Sequence, residues 1–299
     1  MTSEATSTQF ALTAELLARL RQIAKNPPSA LAVCASALLG EQVAAQLGRL
    51  IAPTERAYQN DVHLLAPAGP SWSIAEIDQT IRTAGEFVPT LRNVIVVLDA
   101  HKMAPAGFDH LLKLIEEPLA PTTYVLCVDE IGALPPTIRG RLTHAINANA
   151  DPATLAHQLE SRGLDSLVAA RVCELIPEVA ASLAPLANDN LLKDILDHIA
   201  HPSSSPTSNS LILAELITQA AEKISKADPS PATPTLVNRR ARAFGAAVLA
   251  SWRRTLVDSA TDPGTDLETT SLRLTRIERA LGVLAVHGPL DIALALGSF

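Results

Sequence analysis

Residues 94–98, Val-Ile-Val-Val-Leu, constrain the fold more than any other stretch of this chain. A strand with one wet face alternates apolar and polar side chains, whereas a strand covered on both faces reads as an unbroken aliphatic run. The run ends at Asp99, so it predicts a central strand of a parallel sheet with a polar residue at its carboxyl end. Ala30–Cys34 and Tyr124–Val128 repeat the pattern, and NDVHLLAP at 60–67 is a short strand with a proline stop. Helical stripes separate these runs. Leu12, Leu16, Leu17, Leu20 and Ile23 form one that stops before Pro27 and Pro28; a helix is expected over Gln42–Ile51; Ile74, Ile77 and Ile81 mark a third; Phe108–Glu117 makes a fourth, stopped by Pro118. Strands alternating with helices imply an α/β domain built on a parallel sheet, and it closes near Ala150.

Beyond Asp151 the strand signal disappears. Pro152 stands at a helix start, and Leu155, Leu159, Leu164, Leu167 and Val168, then 176–186 and 191–199, predict a small helical bundle. HPSSSPTSNS at 201–210 reads as a linker, and ADPSPATP at 227–234 as a second break. Between and after them, Leu213, Leu216, Ile217, Ala220 and Ile224 share a helical face, and further helical patterns cover 241–257, 272–286 and 290–296. Three domains result: 1–150, 151–202 and 203–299.

Composition narrows the function classes. A formal charge of −7 argues against a free-standing polyanion binder. Cys34, Cys127 and Cys173 lie far apart in apolar stretches, as buried free thiols do, and no histidine or cysteine pair has ligand spacing, so neither a disulfide nor a metal is expected. MTSEATSTQF has no signal-peptide character, and Leu31–Leu39 is too short to cross a bilayer; a reduced, cytoplasmic protein is expected.

A phosphate-gripping loop, G-x-x-x-x-G-K-[ST], belongs after the first strand of such a domain; its amides cradle phosphates, its lysine neutralises them and its hydroxyl holds magnesium. The corresponding segment is ASALLGEQ, in which Ala35 replaces the first glycine, Gly40 keeps the second, Glu41 replaces the lysine and Gln42 the hydroxyl. A lysine at about 4 Å from a phosphate contributes roughly 4 kcal/mol of attraction at an effective dielectric near 20, and a carboxylate reverses the sign. The loop is expected to hold no nucleotide, with Glu41 solvated at a helix N-terminus.

VIVVLDAHKM at 94–103, LLKLIEEP at 111–118, LPPTIRGR at 134–141, DVHLLAP at 61–67 and RIERALGVLAVHGPLDIALAL at 276–296 occur in the order of the AAA+ clamp-loader family. The chain resembles the delta prime subunits of the bacterial DNA polymerase III clamp loader within that family. The resemblance implies an AAA+-like α/β domain, a small helical lid and an all-α collar that joins a ring. It implies gamma/tau-like motor subunits and a delta subunit as partners, with the sliding clamp and primed DNA engaged through the complex.

Departures from the family pattern carry as much weight. The zinc module of the motor subunits is missing, since Ile51 runs to Asp61 without a cysteine. Asp99 stands where the family's Walker B strand holds magnesium, but Ala100 replaces the glutamate that activates water, so Asp99 is expected to cap the turn instead. Of the family's serine-arginine-cysteine motif, Gly140-Arg141-Leu142 keeps the arginine. By that resemblance Arg141 is the trans-acting finger offered to a neighbour's ATP, with Arg139 the nearest competitor and an intramolecular salt bridge the plain reading. Glu116 and Glu117 are helix neighbours that do not face each other, so one contacts protein and the other water. Arg239, Arg240, Arg242, Arg253 and Arg254, with Trp252 as a stacking ring, leave nucleic-acid binding open. The favoured reading is a non-catalytic assembly subunit with no cofactor of its own; the alternatives are a self-sufficient AAA+ ATPase and a nucleic-acid-binding regulator on a dead ATPase fold.

Overall fold

The computed structural model describes residues 12–52, 62–69, 71–73, 75–79, 93–118, 121–149, 151–187, 189–200, 206–227, 233–260 and 266–286. The chain divides into two compact units, one of Leu12–Ala150 and one running from Asp151 onward.

In the first unit the aliphatic runs pair as a single parallel sheet of five strands: β1 Ala30–Cys34, β2 Val62–Leu65, β3 Asn93–Val97, β4 Thr122–Val128 and β5 His144–Asn147. Their order is β2-β3-β4-β1-β5. Every residue of β1, β3 and β4 is buried, which is the covered-on-both-faces environment that an unbroken apolar run requires. The edge strand β5 has the burial pattern of one half-wet strand, and its four residues, two of them polar, are too short a signal to read as a strand in isolation.

One face of the sheet packs on helix α3, Pro105–Glu116. Phe108, Leu111, Leu114 and Ile115 from that helix meet Ile95, Val97, Tyr124 and Leu126 from the strands, with Met103, Leu134 and Ile138 closing the cluster. Pro105 takes the first helical position, where its fixed φ fits and its missing N–H costs nothing, so α3 starts earlier than the expected Phe108. Helix α1, Ala14–Lys25, is capped by Thr13, whose Oγ1 accepts from the Leu16 N–H at 3.0 Å. Helix α2, Ala37–Ile51, reaches the sheet so closely that a Cβ at Gly48 would lie 2.7 Å from Val62 Cγ1. Helix α4 is the single turn Pro136–Arg139.

The second unit is helical throughout its described residues. Its helices are α5 Pro152–Ser161, α6 Ser166–Leu175, α7 Pro177–Ala180, α8 Asn190–Ala200, α9 Pro206–Ala227, α10 Pro234–Ser259 and α11 Leu267–Val286. Four proline-led starts, at Pro152, Pro177, Pro206 and Pro234, and the Asp151, Asp165 and Thr233 caps explain why these segments begin where they do. The linker expected over 201–210 is corrected at its second half: α9 begins at Pro206, because a proline at the first helical position lets the Ser/Thr-rich segment enter a helix whose later turns, from Leu213 to Ile224, are buried. The expected 290–296 helix lies outside the described residues.

Polar contacts tie α6 to α10 across this unit. Arg254 bonds Glu178 and donates from Nη2 to the Leu175 carbonyl at 2.9 Å. Trp252 Nε1 donates to the Ile199 carbonyl at 3.1 Å, and Lys223 pairs with Asp189. The Lys223 ammonium, together with the Leu191 N–H, holds the Asp189 carboxyl below the usual carboxylate range. Trp252, the stacking ring of the sequence reading, thus spends its indole N–H inside the unit. Arg239 and Arg240 are buried as well, so the arginine cluster is not one exposed basic face.

Candidate functional site

The carboxyl edge of an open parallel sheet is where such folds place ligands. Here the connection from β1 into α2 consists of Ala35 and Ser36 alone. The Ala35 N–H donates to the Val128 carbonyl at 3.0 Å, and the Gly40 N–H donates to the Ser36 carbonyl at 2.8 Å. Two of the amides of this segment are therefore spent on the sheet and the helix. The helix expected from Gln42 starts instead at Ala37, because Ala-Leu-Leu-Gly lacks the glycine spacing that keeps a loop open and supplies three strong helix formers.

That early start turns Glu41 inward. The expectation of a solvated carboxylate is overturned: Glu41 is 1% exposed and Gln42 3%, in the second turn of α2 rather than at its first residue. Gln42 Oε1 is buried with no hydrogen-bond partner among the described residues. A buried carboxylate is the opposite of what a triphosphate needs, and the segment does not fit one. Gly40 has an ordinary helical role, since a Cβ there would meet nothing closer than 3.7 Å.

At the end of β3, Asp99 is the sole non-glycine residue with a positive φ, 52°, among the described residues. Its side chain does not cap the turn as expected. It instead lies 3.5 Å from Lys102 Nζ, while its backbone carbonyl accepts from Lys102 N at 2.9 Å. Ala100, which follows it, is fully buried. His101 Nε2 lies 3.5 Å from Asp129 Oδ2 at the adjacent end of β4. Trp72, which sequence reasoning passed over, closes this corner: its indole N–H donates to the carbonyls of Leu98 at 3.1 Å and Asp99 at 3.3 Å. The readable signal was the capping box Ser73-x-x-Glu76 next to it, in which Glu76 Oε2 accepts from the Ser73 N–H at 2.7 Å. Burial raises the Glu76 carboxyl, but hydrogen bonds from Ala68 and Ser73 outweigh it and leave the group below its ordinary value.

The thiols at this edge are not nucleophiles in waiting. Burial pushes the Cys34 thiol up, and that of Cys173 in the helical unit to about 11. Among the described residues no three His, Cys, Asp or Glu side chains gather as a metal site. No described helix is long and apolar enough to cross a membrane.

The opposite edge of the sheet is built differently. α3 ends at Glu116 before β4, and α4 ends at Arg139 before β5, so both lead into strands from the amino edge. Arg141 Nε donates to Glu116 Oε1 at 2.7 Å, and the two side chains are 54% and 40% exposed. The plain reading of Arg141 as a salt-bridged residue thus holds in the isolated chain, and Glu116 is the carboxylate that contacts protein. Arg139 is exposed and makes no side-chain bond to a described residue. Glu117 is exposed, and its N–H closes α3 on the Lys113 carbonyl at 2.9 Å. Sequence distance hid the Glu116–Arg141 pair, whose members are 25 residues apart.

Residues 31–148 match the sequence model of the family described as DNA polymerase III, delta subunit. No curated protein matches the chain. Among solved structures, a DNA polymerase III gamma subunit-related protein from Thermotoga maritima is 14% identical, covers 94% of this chain and 97% of its own length, and superposes with a TM-score of 0.55. A point mutant of RuvB from Thermotoga maritima is 13% identical over 88% of this chain and 82% of its own, with a TM-score of 0.46. The first of these bears on the fold, and the family match bears on the α/β unit from β1 through β5. The α/β unit is thus similar in sequence to that family, and the chain is similar in fold to the gamma subunit-related protein.

Proposed function

We propose that the chain is a non-catalytic, delta prime-like subunit of a DNA polymerase III clamp loader. In this reading it assembles with motor and delta subunits in the cytoplasm, with 151–202 as a lid and 203–299 as the collar that joins the ring. The observation that carries the proposal is the two-residue connection between β1 and α2, with Glu41 buried where a motor subunit has its phosphate-binding lysine. A subunit whose own loop has become helix contributes to the reaction from its surface. Arg141 supports that role, since an exposed, permanently charged planar fork suits a phosphate supplied by another chain.

A self-sufficient ATPase gains no support from a buried Glu41 or from Ala100. A nucleic-acid regulator gains little from an arginine cluster in which Arg239 and Arg240 are buried and Arg254 bonds Glu178. The deciding experiment is reconstitution with clamp-loader motor and delta subunits from the same cells. Co-elution as one complex, with ATP turnover stimulated by clamp and primed DNA, is expected. A chain that stays monomeric in that mixture while hydrolysing ATP by itself returns the ATPase reading.

A further inference from the structure

Resting on the reading of Arg141 as a trans-acting group, we propose that Glu116 is its positioning residue: it grips the guanidinium at Nε and leaves Nη1 and Nη2 for a nucleotide phosphate presented by a neighbouring subunit. Guanidinium has two edges that can take an oxyanion in a fork, the Nε edge and the terminal Nη1–Nη2 edge. Glu116 Oε1 engages Nε at 2.7 Å, and neither terminal nitrogen of Arg141 has a partner among the described residues. The terminal edge is thereby the one left for a ligand.

Both ends of the contact are set by the core. Glu116 is the last residue of α3, directly after the buried Leu114 and Ile115. Arg141 follows α4, whose Ile138 is fully buried, and the backbone from 139 to 142 is fixed by successive turn bonds: Arg139 N–H to Pro135 O at 3.0 Å, Gly140 to Pro136 at 2.9 Å, Arg141 to Ile138 at 2.9 Å and Leu142 to Arg139 at 3.3 Å. A long arginine on a fixed backbone still samples many rotamers, and one charge-assisted bond at Nε selects among them. The pair is exposed, so it adds little to folding. Its consequence is orientation.

The test is single-turnover ATP hydrolysis by the reconstituted complex carrying Arg141→Ala, Glu116→Ala, Glu116→Gln, and the Glu116→Ala/Arg141→Ala pair. Arg141→Ala is expected to slow the neighbour's site about 1,000-fold. Glu116→Ala is expected to lower kcat about 10-fold with KM for ATP unchanged, because misorienting a positioned group costs less than removing it. Glu116→Gln, which keeps an oxygen acceptor, is expected to recover part of that loss. In the double variant Glu116→Ala adds nothing, since it acts through Arg141. An unchanged or faster Glu116→Ala complex beside a slow Arg141→Ala complex overturns the positioning role and leaves the finger in place, as does an undiminished further loss in the double variant. An unchanged Arg141→Ala complex removes the finger itself.

Discussion

The two edges of the α/β sheet have been treated in opposite ways. At the carboxyl edge, residues 35–42 have been drawn into sheet and helix, and Glu41 and Gln42 are buried. At the amino edge, Glu116 and Arg141 face each other with about half of each side chain exposed. One domain thus closes the carboxyl edge of its sheet by packing and leaves charge exposed on the other. The difference teaches that packing decides what each edge can offer: a lysine placed at 41 would arrive inside a helix, not in a loop.

The comparison is sharpened most by Arg141→Ala. Its removal is expected to cost roughly 1,000-fold at the site it serves, with assembly and melting temperature unchanged because the residue is exposed. Stimulated ATP turnover of the complex, together with its elution volume, reads both quantities, and Arg139→Ala run in parallel separates the two arginines. A complex that turns over normally without Arg141 makes this edge structural.

The closed edge is expected to respond in stability rather than activity. Glu41→Lys places a longer cation where the native side chain is 1% exposed and is expected to cost about 3 kcal/mol, as other broken buried charges do, without creating ATP binding. Urea unfolding measures the first and calorimetric titration with magnesium-ATP the second. Sub-micromolar affinity in either the native chain or the variant would show that the early helix opens in solution.

Gly48→Ala tests how tightly that helix is held to the sheet. A Cβ at 2.7 Å from Val62 Cγ1 is expected to cost about 1–3 kcal/mol by overpacking, read as a lower urea midpoint at constant m-value. The smallest effect is expected at the open edge: Glu116→Gln changes unfolding free energy by less than about 1 kcal/mol, because the pair is exposed and screened. A larger loss there would mean that the Glu116–Arg141 contact supports the fold, and the contrast between the edges would weaken.

Much of the architecture was legible residue by residue. Unbroken aliphatic runs such as 94–98 and 124–128 report burial on both faces, because a strand's side chains alternate sides and a polar residue on either would be orphaned. The helix start at Pro152 was likewise written locally, since first-turn prolines act within a few residues. Arg141, Glu41, Asp99 and Ala100 could all be singled out by motif position.

What those residues do in space was decided by tertiary structure. The helix formers at 37–39 can open α2, but that Glu41 goes inside with Leu38 and Leu39 depends on the sheet and helices packed around it. The Trp72 bonds to the carbonyls of Leu98 and Asp99, and the Glu116 bond to Arg141, join residues 25 or more apart. A sequence by itself determines periodicity, caps and the chemistry each position can offer. Which carboxylate meets which cation, and which polar group loses its water, follows only once the strands are ordered β2-β3-β4-β1-β5 and the distant ends of helices are brought to one edge.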